Sequence, residues 1–409
     1  LVAGRHLAPA CNQLGGMLYE KGNYREALAL FREAAAIYRR GRDRLGHAQC
    51  LSNLAGVYHN QGRYARARGH LERALALARA ARDPQKISQY TGNLGIIHYQ
   101  MGEFAQAARR YRRTLDLAER LKLDHLVLAA VGNLALVYQE QGDYGRALGF
   151  NQRYLALARA QGNAQVTSYA IGNLGSVYYD LDRYTEALAA FEEHHRITQE
   201  IGDKPGRILA ADNLGSLYQS WGRPELALRY FRESLGLALE LGNCEDASRA
   251  ETHLGNLHRD RGEHHKALVH YRQGLRRLRG SDSEYYACYN LHQQAELYLR
   301  LGKAAQARRA NDRARRIALR LKAREMMVLT AVLRARLMPK ARHAAAASAL
   351  RGALHQARSG RQRAAVLFEL AMLTRSPRTI EKTKKLLAGL FESSKNVDYK
   401  QKLSTLEIL

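Results

Sequence analysis

Asn93-Leu94-Gly95-Ile96-Ile97-His98-Tyr99-Gln100-Met101-Gly102-Glu103-Phe104-Ala105-Gln106-Ala107 decides the reading of the chain, because its parts return every 40 residues. The tripeptide Asn-Leu-Gly/Ala recurs at Asn53, Asn93, Asn133, Asn173 and Asn213, with an altered copy at His253-Leu254-Gly255 and an earlier one near Asn12. Five residues on stands a ring, Tyr58, His98, Tyr138, Tyr178, Tyr218 or His258. Nine on stands Gly62, Gly102, Gly142, Asp182, Gly222 or Gly262, and fourteen on always alanine, from Ala67 to Ala267. Self-similarity at a fixed period of this length is the signature of a stacked repeat array.

Each recurring residue has a physical role. Glycine, or Asp182 in its place, tolerates the left-handed backbone that ends a helix. The ring two residues later (Tyr64, Phe104, Tyr144, Tyr184) opens a second apolar-periodic segment. Small residues at the Gly95 and Ala107 positions allow two antiparallel helices to approach. Leu94, Leu134, Leu174, Tyr111, Phe191, Phe231 and Tyr271 fill the space between them. Arg82-Asp83-Pro84, Gln161-Gly162-Asn163, Ile201-Gly202-Asp203 and Leu241-Gly242-Asn243 read as turns between repeats. The pattern predicts helix A over about 47–61 and helix B over about 64–80, repeated at 40-residue steps.

This pattern resembles the tetratricopeptide repeat (TPR) family in its longer form, and is similar to kinesin light chain, the Leu-Gly-Asn-repeat adaptors and bacterial TPR sensor arrays. The resemblance implies an all-α fold, a right-handed superhelical solenoid of antiparallel helix pairs. It covers residues 8–280 strongly and 281–320 more weakly, where Tyr298, Gly302 and Ala307 keep phase with Gln293 in place of the asparagine. The expected organisation is a regular array of about seven repeats over 1–280. Degenerate repeats and a basic capping region follow over 281–409, because a solenoid's exposed end needs cover. The alanine-rich stretch Ala344–Ala349 still reads helical.

Packing accounts for leucine, glycine, ring and alanine but leaves the asparagine unexplained. It precedes the leucine by one residue and so points about 100° away from it. Asparagine is also a mediocre helix former. In the resembling family this face lines a concave groove, where such asparagines bond a peptide backbone. Carried over by position, the implied peptide-binding set is Asn53, Asn93, Asn133, Asn173 and Asn213, with Gln100, Glu140, Asp180 and Asp260 on the same lining. The competing role is to tie each repeat to the next. Tyr99, Tyr169 and Tyr179 are further candidate platforms.

The net charge of +27 is uneven: residues 301–409 carry 25 Lys and Arg against 7 Asp and Glu. The densest run is Arg308, Arg309, Arg313, Arg315, Arg316, Arg320, Lys322, Arg324, Arg334, Arg336, Lys340 and Arg342. It suits an acidic protein partner first and a nucleic acid backbone second, and no aromatic residues interleave for base stacking. Cys11, Cys50, Cys244 and Cys288 are too far apart in sequence for a Cys-x-x-Cys site and read as buried thiols in a reducing cytoplasm. His258-Arg259-Asp260 imitates a kinase triplet but occupies ordinary repeat slots, without a phosphate loop or Asp-Phe-Gly. His194-His195 and His258/His264/His265 lack zinc-site spacing. The expectation is a binding scaffold or adaptor, with no catalytic residues, metal or cofactor and no membrane span. The chain begins without methionine, which suggests the alternative of a sensing arm of a larger signalling enzyme.

Overall fold

The computed structural model describes residues 2–279, 284–321, 323–357, 360–394 and 396–408. Its described regular elements are all helical. Contacts divide the chain into two units, one running to Tyr154 and one starting at Leu155. The first contains α1 (Val2–Glu20), α2 (Tyr24–Arg40), α3 (Arg44–Asn60), α4 (Tyr64–Ala80), α5 (Pro84–Gln100), α6 (Phe104–Arg120), α7 (Asp124–Glu140) and the start of α8 (Tyr144–Ala160). The second continues with α9 (Ala164–Asp180), α10 (Tyr184–Glu200), α11 (Lys204–Ser220), α12 (Pro224–Glu240), α13 (Cys244–Asp260), α14 (His264–Arg277), α15 (Glu284–Arg300) and α16 (Ala304–Leu321). It ends with α17 (Arg324–Arg336), α18 (His343–Gln356), α19 (Gly360–Thr374), α20 (Pro377–Ser394) and α21 (Val397–Glu407). The division proposed at 280/281, and Lys322, lie outside the described residues.

Helix A begins about three residues earlier than the periodicity predicts. The segments read as turns are turns, and each contains the N-cap of the next helix A. Asp43 accepts from the Gly46 N–H at 2.8 Å, Asp83 from Lys86 at 2.9 Å and Asn163 from Val166 at 3.0 Å. Asp203 and Asn243 cap α11 and α13 in the same way. A cap answers one of the four N–H groups that a helix start leaves unpaired. The glycines nine past the asparagine do end helix A, at φ of 68° for Gly62, 70° for Gly102 and 72° for Gly142. Asp182 takes φ 58° in the same column.

Within each repeat a ring from helix B lies against a residue of helix A that has no side chain. A methyl group built on Gly95 would stand 2.6 Å from the Tyr111 ring, and one on Gly175 2.6 Å from Phe191. Gly215 with Phe231 and Gly255 with Tyr271 repeat this at 2.5 Å. Where the helix A residue is alanine (Ala55, Ala135, Ala295), the residue sixteen later is not a ring but Leu71, Asn151 or Asn311. Volume is thus traded across the pair, as close packing demands. Buried rings and leucines then join into cores: Phe31, Leu54, Tyr58, Leu71, Tyr90 and Leu94 in the first unit, and Tyr184, Phe191, Leu214, Tyr218 and Phe231 in the second. The terminal helices have cores of their own, with Leu350, Val366 and Leu370 in one and Leu387, Tyr399 and Leu406 in the next.

His194 occupies a helix B position that is Tyr154 in the repeat before and Ser234 in the repeat after. Its ring packs against Gly172, and neither ring nitrogen finds a hydrogen-bond partner among the described residues. Burial pushes the imidazole down to about 4. Of the four cysteines, Cys11, Cys50 and Cys288 are buried as expected, whereas Cys244 is exposed at the start of α13.

Two outcomes follow from this packing. Gly95→Ala should lower stability by about 1–3 kcal/mol, the range for overpacking a filled site, measured by chemical denaturation with helical circular dichroism. An unchanged midpoint would show that the Tyr111 ring moves aside freely. Stability should also fall as pH drops from 6.5 towards 4, because the unfolded chain takes up a proton at His194 that the folded chain refuses. His194 should contribute about 3 kcal/mol of that loss and His253 a similar share, so His194→Leu should reduce the slope in that window without abolishing it. An identical slope in the variant would contradict the assignment.

Candidate functional site

The asparagines sit on helix A beside the buried leucines, half-buried in every case. The geometry separates them into two groups. Asn53 donates to the Asn12 side-chain oxygen at 2.9 Å and accepts from Gln49 at 3.1 Å. Asn93 donates to the Ser52 hydroxyl at 3.5 Å. These two therefore join their repeat to the one before. Asn133 in the first unit, and Asn173 and Asn213 in the second, make no side-chain hydrogen bond among the described residues.

Several of the bonds between successive A helices share a separation, beside others that span 37 or 38 residues. Asn12 with Asn53, Ser52 with Asn93, and Tyr19 with Asn60 in the first unit are all 41 residues apart. Tyr179 with Ser220 at 2.9 Å and Gln219 with Asp260 at 3.1 Å show the same in the second. The offset is the period plus one. One extra residue is about 100° of helix, so each helix A faces its predecessor and its successor with adjacent positions.

The remaining predicted lining residues differ in engagement. Gln100 and Glu140 are exposed at the ends of α5 and α7. After burial, Glu140 is what holds the Tyr99 phenol above its ordinary range. Asp180 is half-buried and already has an interaction partner. Asp260 accepts from Arg259 and Gln219 and stands 3.6 Å from Arg300. Beside Asn93, the residues Ser52, Gly56, His59 and Ile96 line a shallow cavity of about 180 Å³.

Beyond Asn213 the column changes character. His253 stacks on Phe231 with ring centroids 4.7 Å apart, and burial pushes it down to about 4. Gln293 accepts from Arg259 at 2.6 Å. Around them buried charges pair. Arg249 meets Asp212 and Asp246, and the fully enclosed Glu251 accepts from Arg277 at 2.9 Å and lies 2.8 Å from His270. Buried pairs of this kind are costly to break from one side.

One cluster was not legible as a site. Arg361, at the start of α19, reaches the α9–α10 elbow. Its guanidinium donates to Asp182 Oδ1 at 3.3 Å, the Tyr184 hydroxyl at 3.3 Å and the Tyr179 carbonyl at 3.4 Å, and lies 4.4 Å from the Tyr179 ring centre. From α21, the Tyr399 hydroxyl donates to Asp182 at 3.3 Å, and Asn396 donates to the Tyr184 hydroxyl at 2.9 Å. Burial is the largest influence on the Asp182 carboxyl and raises it, against the pull of Arg361 and the two phenols. The only signal in the sequence was an aspartate standing in a column of glycines.

On α16, Arg309, Arg313 and Arg316 are exposed and make no ion pair among the described residues, and Arg315 is half-buried. Arg308 donates to the Leu337 carbonyl at 2.8 Å, and Arg320 pairs with Glu284. Arg313, Arg316, Ile317 and Arg320 line a shallow hollow of about 390 Å³. Arg324 is exposed on α17. The Lys340 side chain lies outside the described residues. No group of three metal-ligating side chains occurs among the described residues, and none of their helices is long and apolar enough to cross a membrane.

Among solved structures, a Rap protein complexed with competence and sporulation factor is similar over 91% of this chain and 98% of its own, with TM-score 0.55 and 14% identity. The Rap conjugation gene regulator of plasmid pLS20, in complex with the Phr* peptide, is similar over 73% and 84%, with TM-score 0.56 and 14% identity. The apo form of RapI is similar over 66% and 97%, again with TM-score 0.56 and 14% identity. At this identity the likeness is one of fold. No curated protein matches the chain. The tetratricopeptide repeat family model matches residues 7–80, 86–160 and 166–240, together more than half of the sequence. With its helix pairs, left-handed helix ends and 40-residue period, the chain belongs to the tetratricopeptide repeat family.

Proposed function

We propose that this chain is a non-catalytic scaffold that binds a protein or peptide along the helix A faces. The observation that carries the reading is the set Asn133, Asn173 and Asn213. These are half-buried amides on helices that would be more stable without them, and the fold leaves their hydrogen bonds unused. Asn53 and Asn93 are spent on neighbouring repeats, so they rank below the other three as ligand contacts. Gln100, Glu140, Asp180 and Asp260 would supply selectivity at the helix ends. Two of the similar structures hold a bound peptide or factor, which supports the same class of partner. The array over 1–280 would carry this binding and the basic remainder a second contact, in a reducing cytoplasm. Joined to a catalytic domain, the same surface would serve as that enzyme's sensing arm.

A second reading rests on α16. Arg309, Arg313 and Arg316 present unpaired guanidinium groups along one helix, which fits an acidic protein face or, as the second choice, a phosphate backbone.

Capture of a partner from native lysate, followed by substitution, tests the first reading. Asn133→Ala, Asn173→Ala and Asn213→Ala should each weaken binding by about 0.5–1.5 kcal/mol without lowering the unfolding midpoint. Asn53→Ala and Asn93→Ala should do the reverse. Undiminished binding in the triple variant would remove the reading. For α16, a mobility shift across a salt series decides the nucleic acid case: no complex at low salt, or one indifferent to salt, would exclude it.

A further inference from the structure

At the α9–α10 elbow the array departs from its own rule. The column that ends helix A is glycine at Gly142, Gly222, Gly262 and Gly302, yet Asp182 holds φ 58° there. Aspartate tolerates this region less well than glycine, and although Arg42, Arg82 and Lys122 hold similar angles at the ends of B helices, no other helix A end in this column carries a side chain among the described residues. Here the carboxylate is nearly sealed, with 1% of the side chain exposed, while its cationic partner Arg361 keeps 36%.

We propose that Asp182, the Tyr179 ring and the Tyr184 hydroxyl form a receptor for an arginine side chain of a partner peptide. The chain's own Arg361 occupies it as a displaceable stand-in. This rests on the scaffold reading and names the chemistry of one of its subsites. The resident is poorly served. A single terminal nitrogen of Arg361 is shared among three oxygens at 3.3–3.4 Å. Guanidinium–carboxylate pairs free to choose their geometry form two parallel bonds of about 2.7–2.9 Å. The Tyr179 ring, 4.4 Å from the guanidinium carbon, supplies a flat face that favours arginine over lysine.

The resident also has somewhere to go. Helices α19–α21 share a core of Ala364, Leu387, Tyr399 and Leu406 of which Arg361 is not a member. An incoming arginine that pairs through two nitrogens gains the parallel bonds that Arg361 does not form with Asp182, and its arrival frees α19 from the elbow. Recognition of the partner and release of Arg361 become one event, while Tyr399 and Asn396 keep α21 on the elbow.

The probe is the blocked peptide acetyl-Gly-Arg-Gly-amide, titrated by NMR into the full chain, beside its citrulline and lysine counterparts. Arg361→Gln should bind the arginine peptide at least tenfold more tightly than wild type and should ignore the citrulline peptide. Asp182→Gly restores the array's own glycine, so the turn is retained; combined with Arg361→Gln it should abolish binding. The proposal is overturned if Arg361→Gln, with helical circular dichroism intact, binds no better than wild type. It is equally overturned if the double variant still binds. Should Arg361→Gln fail to fold, comparing the wild type with Asp182→Gly decides the matter, since only the former should bind at all. If these fail while the Asn133, Asn173 and Asn213 variants still weaken partner capture, the receptor is wrong and the scaffold stands.

Discussion

The structure depends on a ring seated against a bare backbone. Tyr111 on Gly95, Phe191 on Gly175, Phe231 on Gly215 and Tyr271 on Gly255 set how near helix B comes to helix A. Each ring removes a large apolar area from water, of order 1.5–3 kcal/mol per side chain, but only if the facing residue has no Cβ. Where alanine appears instead, at Ala55, Ala135 and Ala295, the ring has gone. Volume is therefore traded across the helix pair as its residues change.

That trade concerns only one face of helix A. Caps at Asp43, Asp83, Asn163, Asp203 and Asn243 fix where it begins, and the left-handed residue fixes where it ends. Between these limits only some positions are claimed by the core. The others divide between bonds to adjacent repeats and groups that the fold does not use. In the second unit the claimed share grows. Arg249, Glu251 and Arg259 are enclosed among carboxylates, imidazoles and amides of consecutive repeats, and each such group resists the removal of its partner.

The array was legible because its determinants are local. Glycine, leucine, ring and alanine recur within one repeat, and a period of 40 exposes them together. Helix A was read three residues short because an aspartate or asparagine before a helix and one in a turn look alike until the N–H it accepts from is known. The asparagine column was legible as a column but not as two groups. Whether Asn53 or Asn133 is engaged depends on what its neighbouring helix presents, Asn12 in the first case. The Arg361 cluster joins Arg361 to Asp182, 179 positions away, and no spacing rule reaches that far. Asp182 alone marked it, as a break in a pattern that was otherwise obeyed.

The recurring separation of 41 among bonds between successive A helices gives the array a front and a back. A repeat reads the one before it with Asn53 or Asn93 and offers the one after it the residue just ahead, Ser52 in the observed case. Such head-to-tail contacts are not self-complementary. A repeat moved to another place in the chain keeps its fit only if both adjacent residues move with it, one matched to each new neighbour. Order along the array is thus recorded in pairs of neighbouring side chains, one looking each way.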